Sequence, residues 1–268
     1  MMRAGLPMYD LPELQAVTEA FWNRLASHMR AEGIADVPAR IEHPTDYDAH
    51  WLEPGLLLSQ TCGYPMRHRL KGRVTYVATP SYAVEGCGRG TYRSAIVVRV
   101  DAPIRKLDDL RGATAAFNDM QSQSGMNALR AAVAPFSREG RFFDRVIESG
   151  RHEASIRAVA DGEADVAAID CVTWAYLERY RPSEVAALHV LDMTAEMPGL
   201  PFVTAGDAGE DLVAKLRAAL TESMLDPAIA VVRDALFLSG IVILPDDAYL
   251  AIDRMAEGAV ARGYPQLA

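Results

Sequence analysis

The sequence predicts an α/β protein built as two lobes, with two crossover hinge strands and a ligand cleft. Three observations carry that prediction. Short apolar runs alternate with stretches of helical periodicity through most of the chain, which argues for parallel sheet flanked by helices. Two extended segments, near 92–100 and 200–205, bracket a complete α/β unit, as when a chain crosses over, builds a second lobe and returns. Polar loops follow the strands, and ligands in such sheets bind outside the strands' carboxyl ends. The expected boundaries are 1–94 plus 203–268 for the first lobe and 95–202 for the second.

The elements follow in chain order. A short apolar segment at 2–8 reads as a strand, and 13–29 as a helix, because Leu14, Val17, Phe21, Leu25 and Met29 recur at helical spacing. Gly33 ends that helix. A second strand is expected at 39–42. The run 55-GLLLS-59 reads as a strand buried on both faces, and 74–78 as another. Strands at 92–100, 114–117, 145–148, 165–169 and 187–191 alternate with helices at 125–133, 152–160 and 172–178. Beyond the extended segment at 198–204 the chain reads as helical over 210–224, 228–238 and 246–257, with an apolar run at 241–244.

The chain has 268 residues, half of them hydrophobic, so it can bury a substantial core. A net charge of -9 argues against nucleic-acid binding, which calls for a basic stripe. A local site can still be positive and take a small anion. Cys62, Cys87 and Cys171 form neither a disulfide framework nor a metal-ligand spacing, and each reads as a small buried or half-buried residue rather than a reactive thiol. No metal and no cofactor are expected. No apolar run approaches the roughly 20 residues of a membrane span. No export signal is visible after Met1, so the chain as it stands is expected in the cytoplasm.

The string 92-YRSAIVVRVDAPIRKLDDLRGATAAFNDMQSQSGMNALRAAV-133 resembles the phosphate, phosphite and phosphonate substrate-binding proteins of ABC importers. So do 149-SGRHEASIRAVADGEADVAAID-170 and 199-GLPFVT-204. The resemblance implies the type II periplasmic-binding-protein fold, a periplasmic location, a small anionic ligand and an importer permease as partner. It places the ligand on Ser122, Gln123 and Ser124 at a helix start, with His152 and Asp170 from the same lobe and Tyr9 from the first. Thr61 and Tyr82 join the expected set from loops after first-lobe strands.

The chemistry suits an anion. A helix start leaves its first amides without carbonyl partners and carries partial positive charge. Ser122 and Ser124 can donate without fixed charge, and Gly125 permits close approach. The helix end contributes only about 0.3–1 kcal/mol at an exposed site, whereas micromolar binding needs about 8 kcal/mol. Hydrogen bonds in a dry site must supply the rest. One serine alone would be read as an N-cap, and Asp170 is equally well explained as the cap of the next helix.

The leading function is therefore a non-catalytic protein that binds a small oxyanion or organic acid, for an importer or as a soluble sensor. The alternative is a cytosolic enzyme on the same fold, which would need Cys62, His152 and Asp170 to converge. A third class, a ligand-responsive interaction protein, has no partner motif to support it.

Overall fold

The computed structural model describes residues 2–268. Among the described residues the strands run in chain order: β1 (Arg3–Gly5), β2 (Leu56–Gln60), β3 (Val74–Tyr82), β4 (Thr91–Tyr92), β5 (Ser94–Arg99), β6 (Thr114–Phe117), β7 (Arg145–Glu148), β8 (Val166–Asp170), β9 (Leu188–Met193), β10 (Met197–Pro198), β11 (Phe202–Ala205) and β12 (Leu238–Val242). The α-helices are α1 (Gln15–Ala31), α2 (Tyr47–Trp51), α3 (Gly63–Arg67), α4 (Ala128–Val133), α5 (His152–Ala160), α6 (Cys171–Tyr180), α7 (Pro182–Val185), α8 (Glu210–Leu225), α9 (Ala230–Ala235) and α10 (Leu250–Ala261).

The chain forms two compact units. The first holds residues 1–83, 88–90 and 199–246, and the second holds 84–87, 91–198 and 247–268.

The sheet of the first unit has the order β1-β2-β11-β3-β12. All five residues of β2 are buried, as its unbroken apolar start predicts. α1 turns Phe21, Trp22, Leu25 and Met29 inward and packs against α8 and α9. Each such side chain contributes roughly 1.5–3 kcal/mol on burial. The strand expected at 39–42 is a lone bridge between Gly5 and Glu42. The helix expected over 228–238 stops at Ala235, where Phe237 turns to φ 51 and Leu238 starts β12. The apolar run near 241 thus belongs to a strand.

The sheet of the second unit has the order β7-β6-β8-β5-β9. β5 and β8 are the apolar centre, with Ile96, Val97, Ala167 and Ala168 completely covered. α10 packs against α4 in this unit.

Neither sheet is purely parallel, contrary to the reading of the alternating pattern. β5 runs antiparallel to β8 and β9, and β11 runs antiparallel to β2 and β3. The cause is the chain path. β5 begins at Ser94 opposite Asp170, the last residue of β8, and β11 begins at Phe202 opposite Gln60, the last residue of β2. β5 thus enters its sheet at the carboxyl end of β8, and β11 at the carboxyl end of β2. Those ends are where this class of sheet holds ligands.

Candidate functional site

In the second unit, Ser122, Ser124 and His152 come together at one such edge. β6 ends at Phe117, and the chain turns through Asn118–Gln121 into a π-turn over Gln123–Asn127 that continues as α4. Single π-turns inside helices recur at functional sites. Ser122 is the N-cap: its Oγ accepts from the Gly125 amide at 2.9 Å. Its Oγ also lies 3.4 Å from Ser124 Oγ, and Ser124 Oγ lies 2.9 Å from His152 Nε2. His152 arrives from β7 as the first residue of α5.

The protonation of this chain follows from the surroundings. Burial of the His152 ring pushes its pKa down to about 4, so it is neutral near pH 7. With the proton on Nε2, His152 donates to Ser124, and the Ser124 hydroxyl proton turns outward or to Ser122. Ser122 already accepts from an amide, so its own proton is available to a ligand. The edge can therefore offer two hydroxyl protons and the positive end of a helix, with no full positive charge. His152 Nδ1 and Asn118 Oδ1 are buried without hydrogen-bond partners among the described residues. Unpaired buried polar atoms at one edge are costly unless another group meets them.

Gly125 has a definite reason to be glycine. A Cβ there would overlap Asn118 Oδ1 and stand 3.3 Å from His152 Cε1. The close approach is thus made by Asn118, which sequence reasoning left out of the site. The polar run at 118–124 was its only signal.

Gln123 is placed differently from its serine neighbours. Its side chain is 1 % exposed; Oε1 accepts from Asn127 Nδ2 at 2.7 Å and Nε2 points to Met255 Sδ at 3.2 Å. The amide side chain ties the π-turn to α10. Asp170 is buried and caps α6, with Oδ1 accepting from the amides of Val172 (2.8 Å) and Thr173 (3.1 Å).

In the first unit, Tyr9 and Thr61 follow β1 and β2, whereas Tyr82, expected in a loop, is the last residue of β3 and pairs with Leu238 of β12. The Tyr9 and Tyr82 rings meet edge to face, centroids 5.4 Å apart. Gln60 Nε2 donates to Tyr82 Oη at 3.2 Å, which fixes that ring. Thr61 is fully buried, its amide donating to the Pro201 carbonyl at 3.0 Å. Cys62 stands at the start of α3, half-buried.

The first unit also holds a carboxylate–imidazole–hydroxyl series that the sequence did not disclose. Glu42 Oε2 lies 3.5 Å from His50 Nδ1, and His50 Nε2 lies 3.1 Å from Ser59 Oγ. Ser59 is 0 % exposed in the middle of β2. A substrate carbonyl could not reach it, so the series ties α2 to the sheet.

Two α/β units, each with a mixed sheet entered at its carboxyl edge by a crossover strand, define a periplasmic-binding-protein-like class of protein. Comparison with known proteins narrows this. The model of the family described as ABC transporter, phosphonate, periplasmic substrate-binding protein matches residues 10–249, and the chain belongs to that family. Among solved structures, a binding protein component of an ABC phosphonate transporter from Pseudomonas aeruginosa superposes with TM-score 0.80. It has 18% identity, over 98% of this chain and 87% of that one. PhnD1 from Prochlorococcus marinus, solved with methylphosphonate, gives 0.76 at 16% identity over 96% and 97%. A Xanthomonas citri protein bound to ATP gives 0.71 at 18% identity over 98% of both chains. Identities this low show the fold alone. A comparison with curated protein sequences finds no match. Among the described residues, no helix is long and apolar enough to cross a membrane.

Proposed function

We propose that this substrate-binding protein takes a small phosphonate or phosphate oxyanion, and that Ser122, Ser124 and the first amides of the 123–133 helix are its principal donors. The observation that carries this reading is the Ser122–Ser124–His152 chain at a helix start. Its protons can be aimed at an oxyanion while its one imidazole stays neutral. His152 orients Ser124 or donates directly. The capping role of Asp170 turns its charge toward the α6 amides, which lowers its repulsion of an anion. In this reading the chain delivers its ligand to an importer permease and does no chemistry on it.

Titration calorimetry with phosphate, phosphite, methylphosphonate, 2-aminoethylphosphonate and ATP tests the assignment. At least one of the first four should bind at micromolar concentration. Ser124→Ala should weaken that binding by about 10-fold or more, the loss of one hydrogen bond to a charged group being about 1.5–3 kcal/mol. Binding no tighter than millimolar across the four overturns the oxyanion reading, and tight binding of ATP alone replaces it.

A further inference from the structure

The second unit holds a pair of thiols that the binding reading does not use. Cys87 Sγ and Cys171 Sγ lie 3.4 Å apart as free cysteines, 84 positions apart in sequence. Both are held in place by their own surroundings. Cys171 opens α6, and its amide donates to the Arg93 carbonyl at 3.2 Å; Cys87 closes a turn with its amide on the Val84 carbonyl at 3.2 Å. Gly86 is what lets that turn come so close. It has φ +89, and a Cβ there would overlap Met193 Cε and stand 3.1 Å from Cys171 Cβ. The backbone of the 84–87 turn is thus fitted against Cys171, with sulfur facing sulfur.

We infer that Cys87 and Cys171 form a reversible disulfide that staples the 84–87 turn to the start of α6, and that this bond is made by exchange with a small-molecule disulfide. Cys171 is buried and Cys87 is half-buried, so Cys87 meets the oxidant first. The Cys87 thiolate attacks one sulfur of the oxidant, forming a mixed disulfide and expelling one thiolate. The Cys171 thiolate then attacks Cys87 Sγ and expels the second. The two cysteines lose two electrons to the oxidant, which leaves as two thiols carrying the two cysteine protons. The bond closes a long loop, so it constrains the unfolded chain strongly. The Cys171 sulfur beside it, and then burial, push the Cys87 thiol pKa up, so closure accelerates as pH rises. The family's description as periplasmic agrees with an oxidising setting for such a bond.

The test equilibrates the full chain with glutathione buffers of increasing glutathione-disulfide fraction, then counts thiols under denaturing conditions and maps peptides without reduction. Of the three cysteines, the reduced chain should show all and the oxidised chain only Cys62. The peptides bearing Cys87 and Cys171 should be linked, with the loss of two hydrogens. The oxidised chain should melt about 5–15 °C higher than the reduced one. Cys62→Ser should behave as the native chain, whereas Cys87→Ser and Cys171→Ser should show no such shift. Far-UV circular dichroism checks that each variant is folded. Linkage through Cys62, bonds only between molecules, or unlinked thiols in the most oxidising buffer would each overturn the inference.

Discussion

The neutral state of His152 makes a prediction whose size can be worked out. Its pKa falls from 6.5 in the unfolded chain to about 4 in the folded one, through burial. Between those two values the unfolded state binds a proton that the native state refuses. Stability conferred by the neutral ring is therefore fully present above pH 6.5 and is lost as pH falls toward 4. The fall from 6.5 to about 4, at about 1.4 kcal/mol per pH unit, gives a loss of about 3 kcal/mol. The perturbation is His152→Gln, which keeps a polar group near Ser124 Oγ and does not titrate. Urea unfolding of both chains, from about pH 7 to about pH 4, should show the native protein losing about 3 kcal/mol more than the variant. Carboxylates and His50, whose pKa burial also lowers, are common to both chains and cancel in the difference. Two-dimensional NMR titration of the ring reads the same quantity directly and does not depend on two-state unfolding. A ring that titrates near 6.5, or a stability difference that stays flat across the window, would refute the reasoning.

Two further outcomes follow from side-chain placement. Gly125→Ala should displace Asn118 and cost about 1–3 kcal/mol, read as a lower melting temperature, because the added methyl overlaps the Asn118 carbonyl oxygen; an unchanged melting temperature with Asn118 in place would refute this. Arg130→Met should cost about 1–3 kcal/mol and speed proteolysis near the carboxyl terminus. Buried Arg130 bonds to the Pro265 and Ala256 carbonyls and to Asn127 Oδ1, tying α10 and the 262–268 segment to α4; an unchanged cleavage rate would count against that role.

Most individual elements were legible in the sequence, because local pattern dictates them. The helix at 152–160 and the strands at 114–117 and 145–148 form where hydrophobic period and turn residues place them. The end of the chain was less legible. The 228–238 stretch is short and apolar without a clear period, and the backbone of Phe237, not composition, decides that Leu238 leaves the helix for a strand beside β3. Strand direction was equally hidden. Alternation of strand and helix says that helices cover a sheet, but where β5 and β11 enter is a matter of chain path.

The candidate site divides along the same line. The sequence by itself determined that a polar, serine-rich run precedes a helix after a strand, that a histidine opens another helix, and that the chain resembles phosphonate-binding proteins. These are local or patterned facts, readable at fixed spacing. Only the tertiary structure decided that His152 meets Ser124 across 28 positions, that Gln123 turns toward Met255, and that Cys87 faces Cys171. The physical reason is distance along the chain. Hydrogen bonds and thiol contacts act over about 3 Å in space, and no period in the sequence records which distant residues the fold brings that close.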